Sequence, residues 1–357
     1  MTKLRSVDVS QILREYGQEL DREILALLES PPCRQGVYRL VEYHLGWCDP
    51  KLTRTGTPER GKLLRPILTL LTFEALTRKR VEALPLAVAI ELLHNQTLIF
   101  DDIQDGDTLR RGRATVWKIW GIPKAIGAGF NAGPLAIASF LGLKEHFPSE
   151  KVLELLMRFN ETALEIGEGQ YLDLSFEDSE DITPEDYLDM ISRKTASLMA
   201  FCTYGAAFLA SDDPQLHGRL SEFGRKLGLA MQIQDDLVGI WGSEKEAGKR
   251  CGNDIQRRKK TFPVIQALAR APSREREFLK EIYGSREELP EDKLREIQAV
   301  FEGTGAQEAC VRFSKALETE AYSALDIPSL TEPAKDTLKE FASHCCSAIG
   351  RLRAAAR

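Results

Sequence analysis

Apolar residues recur at three-to-four spacing over Ser10–Leu28, Leu63–Leu76, Leu84–Gln104, Val152–Leu174, Pro184–Leu209 and Leu216–Trp241. That is the period of helices that each bury one face. No segment alternates in the two-residue period of a strand, and no repeat of fixed length is present. Breaks fall at Pro31-Pro32, Gly56-Thr57-Pro58, Gly121-Ile122-Pro123, Asp212-Asp213-Pro214 and the stretch from Gly242 to Gly252. The pattern predicts an all-α fold, a large helical bundle. No long linker divides the chain, so residues 1–357 are read as a single domain, with charged amphipathic helices over 270–357.

Composition narrows the ligands. The chain is 43% hydrophobic and 29% charged, with a formal charge of -6, so general attraction to nucleic acid or anionic membrane is not expected. An anionic substrate must be held by local cations or metal ions. The seven cysteines (33, 48, 202, 251, 310, 345 and 346) form no CxxC pair and no zinc spacing. Without a signal peptide they read as reduced thiols of a cytoplasmic protein. Nineteen uncharged residues from Ala125 to Leu143 are nominally long enough to cross a bilayer. Gly127, Gly129, Asn131, Gly133 and Pro134 interrupt them, and a helix buried in a bundle, without stable membrane insertion, is the expectation.

Asp101, Asp102 and Asp105 close an apolar helix, with Asp101 and Asp105 on one face and Asp102 beside them. Such oxygens suit magnesium, which keeps waters and substrate phosphates in its remaining positions. Clustered acids are more often solvated surface, and alone this motif decides little. A second acidic pair, Asp235-Asp236, follows Met231-Gln232-Ile233-Gln234 on another apolar helix. Two such helices facing each other would hold several magnesium ions around one diphosphate. Cations stand near both motifs: Lys62 and Arg65 are read on one helical face, Arg110-Arg111 follow the first motif, Lys194-Thr195 lie mid-helix, and Lys249 and Lys259 follow the second. Arginine forks and lysine ammoniums both recognise phosphate. Singly, each is an ordinary exposed side chain; jointly they argue for a diphosphate. His94 lies two turns before Asp101 on the same face, and two readings stay open for it: a satisfied core residue, or a donor to a phosphate oxygen.

In this order, GKLLRP, ELLHNQTLIFDDIQD, LRRG, GEGQYLDL, RKTASL, MQIQDD and GK…ND…KKTFP, from Gly61 to about Ala267, resemble the all-trans polyprenyl diphosphate synthase family, which includes farnesyl and geranylgeranyl diphosphate synthases. The resemblance implies a helical bundle around a central cavity, a homodimer, and head-to-tail condensation of isopentenyl diphosphate onto an allylic prenyl diphosphate. It implies that Asp101, Asp102, Asp105 and Asp235 bind magnesium, three ions per site, with Asp236 supporting the second site. Arg110, Gln170, Lys194, Lys249 and Lys259 would hold the allylic diphosphate, and Lys62, Arg65, His94 and Arg111 the isopentenyl diphosphate. Gln232 and Thr195 would line the site, and Asp101, Asp102, Lys194 and Asp235 would carry the catalytic step.

Three positions depart from the family pattern. Gly239 stands where the second motif has its third aspartate, Phe100 where a histidine usually precedes Asp101, and Ala128-Gly129-Phe130 where a Gly-Asp pair belongs. Extra aromatic faces shield carbocations, so a class I terpene synthase or atypical prenyltransferase on the same fold is the alternative. A non-catalytic regulatory subunit is a third reading. Thr97, one turn before Asp101, is a smaller barrier than an aromatic ring, and geranylgeranyl diphosphate is the expected product.

Overall fold

The computed structural model describes residues 8–30, 36–56, 58–177, 179, 181–242, 253–285 and 288–347. Two compact units emerge: Met1–Asn160 with Phe201–Ser221 and Ile327–Phe341, and Glu161–Ala200 with Glu222–Asp326 and Ala342–Arg357.

The first unit begins with α1 (Val9–Leu28), whose N-terminus is capped by the Asp8 carboxylate accepting from the Ser10 and Gln11 amides. It continues through α2 (Gly36–His44), α3 (Leu64–Thr77) and α4 (Leu84–Gln104). A two-stranded hairpin follows, β1 (Leu109–Arg110) paired antiparallel with β2 (Arg113–Ala114). Next come α5 (Val116–Trp120) and α6 (Ile122–Ser139), the latter extended by a 3-10 turn over Phe140–Glu145. Leu86, Ala87, Ala89, Ile90 and Leu92 of α4 are fully buried, so this helix is the hub of the unit. Leu86, Ile90 and Leu92 each contribute roughly 1.5–3 kcal/mol through burial.

Helix α4 lies on α6 because α6 lacks side chains where α4 carries large ones. A Cβ added to Gly129 would sit 2.8 Å from Phe100 Cζ, and one on Gly133 would sit 2.8 Å from Gln96 Nε2. The other face of α6 is bare. Ile122, Ile126, Phe130, Ile137 and Leu141 are all exposed, Phe130 by 67%. Both α4 and α6, with their flanking turns, are long and apolar enough to cross a membrane, but the most apolar 18-residue window is 67% buried within Val81–Gln104 and only 44% buried within Ile122–Glu145. The expectation of a fully buried helix over 125–143 therefore needs correction: half of it is core and half is an uncovered apolar stripe.

Helix α7 (Ser149–Glu177) starts in the first unit and ends in the second. The second unit also holds α8 (Pro184–Ile191), opened by a Thr183–Asp186 capping box. The single helix expected over Pro184–Leu209 is interrupted by a π turn, Ser192–Ala196, before α9 (Ser197–Ala210). Helix α10 (Pro214–Trp241) precedes a short turn over Asn253–Gln256 and helices over Phe262–Arg270, Ser273–Gly284, Glu291–Gly303, Ala306–Ala324 and Glu332–Cys345. Ile240, Ile255, Val264, Leu279, Ile297 and Phe301 form the core of this unit.

Candidate active site

In the first unit, the acidic motif ends α4 and the hairpin folds back over it. Asp102 is 2% exposed and its Oδ1 accepts from Arg110 Nε at 2.6 Å. The Asp107 amide donates to the Asp102 carbonyl, while the Asp107 carbonyl accepts from Thr115 Oγ1 and Trp117 Nε1, both at 2.8 Å. Those bonds hold the hairpin against the helix end. Its turn needs two positive φ values, supplied by Arg111 (54°) and Gly112 (77°). Asp101 and Asp105 remain partly open to solvent.

Cations crowd behind this motif. Arg65 Nη1 lies 3.2 Å from His94 Nε2. A guanidinium only donates, so Nε2 accepts and the neutral ring carries its proton on Nδ1. Burial first, then the charges of Arg65, Arg111 and Arg110, hold His94 well below the usual histidine range. Burial and the charges of Arg111, Arg110 and Arg113 do the same to His44. Arg111 is also lowered, by burial and by Arg110 and Arg65, although Glu91 opposes the shift. Its guanidinium occupies the space above Gly61, 2.7 Å from where a Cβ would be. Arg65 Nε and His44 Nε2 are buried without a hydrogen-bond partner. Mutually repelling guanidiniums around two neutral imidazoles are chemically arranged for a polyanion.

One sequence expectation fails here. Lys62 and Arg65 do not share a helical face: α3 starts at Leu64, and Leu63 has φ 53°, in the left-handed region. Lys62 is an exposed residue ahead of the helix, whereas Arg65 is in its first turn. His44 lies outside every motif and was not foreseen.

In the second unit, a cavity of about 150 Å³ is lined by Asp173, Tyr187, Lys194, Gln232, Asp235, Asp236, Asp254, Lys259, Lys260 and Thr261, among others. Lys194 sits on the π turn, a local irregularity common at functional positions. Gly169 of α7 and Gly228 of α10 let this turn come close: an added Cβ would lie 2.7 Å from Lys194 Cα and 2.7 Å from Ala196 Cα respectively. Lys194 Nζ pairs with Asp173 at 2.6 Å. Thr195 Oγ1 donates to Gln232 Oε1 at 2.8 Å, and Gln232 Nε2 donates to Asp236 Oδ1 at 3.0 Å. Asp236 Oδ2 accepts from the Tyr187 hydroxyl at 2.5 Å and the Phe262 amide at 3.1 Å. Burial pushes the Asp236 carboxyl up to about 7, although these three donors pull it down. Asp235, one residue earlier, is exposed.

Asp173, Tyr187, Asp254 and Lys260 join the expected residues in this cavity. Asp173, Asp254 and Lys260 were within reach of sequence reasoning, since they belong to the GEGQYLDL and GK…ND…KKTFP motifs. Gln170, three residues earlier, is half-buried on α7. Lys249 falls outside the described residues.

Among the described residues, no three His, Cys, Asp or Glu side chains gather into a ready cage for a metal ion. The donor set still fits magnesium: partly solvated aspartate oxygens at Asp101, Asp105 and Asp235 leave open the positions that this ion fills with water and phosphate oxygens.

The comparisons with known proteins agree with this chemistry. The polyprenyl synthetase family model matches residues 51–300. A short chain isoprenyl diphosphate synthase of Methanothermobacter thermautotrophicus is 37% identical over 302 residues, 85% of this chain and 87% of that one. A geranylgeranyl pyrophosphate synthase of Geoglobus acetivorans is 32% identical over 94% of this chain and 98% of its own. The crystal structure of a polyprenyl synthetase from Streptomyces coelicolor superposes with a TM-score of 0.84 at 30% identity, covering 95% of this chain and 99% of that one. All-α architecture and helix-borne aspartates define a class I isoprenoid-type transferase. The chain belongs to the polyprenyl synthetase family and is a prenyl diphosphate synthase.

Proposed function

We propose that this enzyme condenses isopentenyl diphosphate with an allylic prenyl diphosphate to give geranylgeranyl diphosphate. The observation that carries the elongation reading is the pair of guanidiniums of Arg65 and Arg111 beside His94. An enzyme that only ionises and cyclises one diphosphate has no need of a second polyanion site.

In this reading Asp101, Asp102, Asp105 and Asp235 hold three magnesium ions on the allylic diphosphate. Asp236, with both oxygens engaged by protein donors, orients the helix face that presents Asp235. Bound magnesium neutralises the leaving group and polarises its oxygens. Arg110, Gln170, Lys194 and Lys259 grip the allylic diphosphate, with Thr195 and Gln232 at its edge. Lys62, Arg65, His94 and Arg111 grip the isopentenyl diphosphate, His94 donating from Nδ1. The allylic carbon–oxygen bond breaks, the isopentenyl double bond attacks the allylic cation, and the departing diphosphate takes the proton released as the new double bond forms.

The C20 product is supported by Thr97, whose hydroxyl turns back to the His94 carbonyl at 2.8 Å and leaves a small side chain one turn before Asp101. The name of the Geoglobus relative points the same way. Incubation with labelled isopentenyl diphosphate and dimethylallyl, geranyl or farnesyl diphosphate should end at C20 from each primer. A C15 endpoint from every primer would defeat the assignment.

The cyclising alternative loses one of its supports, because Phe130 faces outward rather than toward a site within its unit. We assign that surface to a second copy of the chain. Ile122, Ile126, Phe130 and Ile137 recur along one face of α6, and Leu153 and Met157 are exposed on α7, an apolar stripe of the kind soluble monomers rarely leave uncovered. Phe130→Glu should convert a dimer into a monomer in sedimentation velocity; a monomeric wild type would remove this assignment. Cys48, Cys202 and Cys310 are free buried thiols, in keeping with cytoplasmic action.

A further inference from the structure

The second unit holds a further cavity, of about 560 Å³, apart from the one lined by the aspartates. Arg257, Arg258 and Lys260 line it from the loop that gives Lys259 to the first cavity. Lys280 and Tyr283 line it from the end of the helix over Ser273–Gly284. Among the described lining residues these four cations meet a single acid, Glu177. The volume lies in the range of small-molecule sites, roughly 300–1,000 Å³. Leu268 and the Tyr283 ring give the cavity an apolar side.

The loop and the helix end are stitched together. Arg258 takes φ 57° and donates to the Ile255, Gln256 and Ile282 carbonyls at 3.2, 2.7 and 2.9 Å. Lys260 Nζ donates to the Phe176, Glu177 and Ser179 carbonyls at the end of α7. Lys280 pairs at 3.3 Å with Asp181, which is 87% exposed, so water weakens that bond. One polar group in this wall has no partner: the Tyr283 hydroxyl is buried without a hydrogen bond. Burial, and then the Asp254 charge, push its ionisation up, so the phenol stays a donor. A buried donor left unmade costs free energy that an acceptor entering the cavity would recover.

We propose that this cavity is a second anion site, which takes the diphosphate group of a small molecule against Arg257, Lys280 and the Tyr283 hydroxyl and adjusts the substrate site from there. The adjustment runs through Lys260, which lines both cavities and holds the end of α7, the helix of Gln170 and Asp173. An anion drawing on the loop at Arg257 shifts Lys259 and Lys260 with it. The diphosphate has two sources: the inorganic ion released by each condensation, or a nucleoside diphosphate whose ring lies on Leu268 and Tyr283. The binding site stands independently of the proposed function; its effect on the substrate rests on that reading.

The test is calorimetric titration of the full-length enzyme, with a chelator in place of magnesium, using inorganic diphosphate and, separately, adenosine diphosphate. Wild type should bind at least one, and the tighter of the two identifies the source. Tyr283→Phe should weaken that binding about tenfold, the loss of one donor to a charged group, without lowering the melting temperature. Arg257→Ser combined with Lys280→Ser should weaken it about 100-fold. No binding by wild type, or full affinity in both variants, would overturn the site. A lowered melting temperature with full affinity in Tyr283→Phe would overturn the role of the hydroxyl. With magnesium restored, the bound anion should change KM for the allylic diphosphate at least about threefold in wild type and leave it unchanged in the double variant. An equal change in both would be competition at the substrate site and would overturn the coupling. Absence of elongation in every form would overturn the proposed function and the coupling with it, while the titration still decides the site.

Discussion

Asp102 and Asp236 are the second residues of two acidic motifs, and they are buried by opposite means. Asp102, 2% exposed, is neutralised by a guanidinium, Arg110, eight residues further along. Asp236, 3% exposed, receives only neutral donors: a phenol, an amide side chain and a backbone amide. The first carboxylate has its counter-charge within its own unit. The second is pushed up to about 7 by its burial, against the pull of its three donors. The contrast separates two arrangements, an ion-paired end of α4 and a carboxylate on α10 held by neutral donors.

Substitutions at the solvent-accessible members of the motifs, Asp101 and Asp235, should have the largest effect. Asp101→Ala and Asp235→Ala should each lower kcat by roughly 10³ or more, because the lost Lewis-acid contribution is several kcal/mol. Equal loss at both would show that each motif serves the same ionisation; full activity of either would remove its metal assignment. Next comes Arg110→Ala, which strands the Asp102 charge and should cost about 3–5 kcal/mol in denaturant unfolding. Adding Asp102→Asn should recover most of that loss, and failure to recover would show that the pair is not what stabilises the helix end. Tyr187→Phe removes one neutral donor from Asp236 and should cost only about 1–3 kcal/mol. A larger cost than for Arg110→Ala would reverse the comparison. Smallest is Thr195→Val, at the far end of the Gln232–Asp236 chain, expected to cost about 1 kcal/mol.

Much of this was legible in the sequence, for identifiable reasons. The long helices α1, α3, α4, α7 and α10 start and end within three residues of the apolar periodicity that predicts them. Helix α2 was missed because nine residues give too few turns for the period to show. The shared helical face of Lys62 and Arg65 failed on a single left-handed residue, Leu63, which no hydrophobic pattern encodes. The π turn at Lys194 escaped for a similar reason, as one extra residue in a turn hardly disturbs the apolar spacing. Within the site, motif residues were found and their supports were not. Tyr187 meets Asp236 across 49 residues of sequence, and Asp254 reaches Gly239 from beyond the polar stretch that follows α10. Such contacts are set by packing, through glycines at 169 and 228 that let helices approach, and spacing along the chain carries no trace of them.

The most direct test of the account omits isopentenyl diphosphate. Purified enzyme with magnesium would be given geranyl, farnesyl or geranylgeranyl diphosphate alone, then together with labelled isopentenyl diphosphate, and all products separated by chromatography. Elongation predicts no hydrocarbon or alcohol release from the allylic diphosphates alone, and labelled C20 diphosphate from the geranyl and farnesyl primers once the second substrate is present. Hydrocarbon release without isopentenyl diphosphate, and no label incorporated with it, would contradict the central claim.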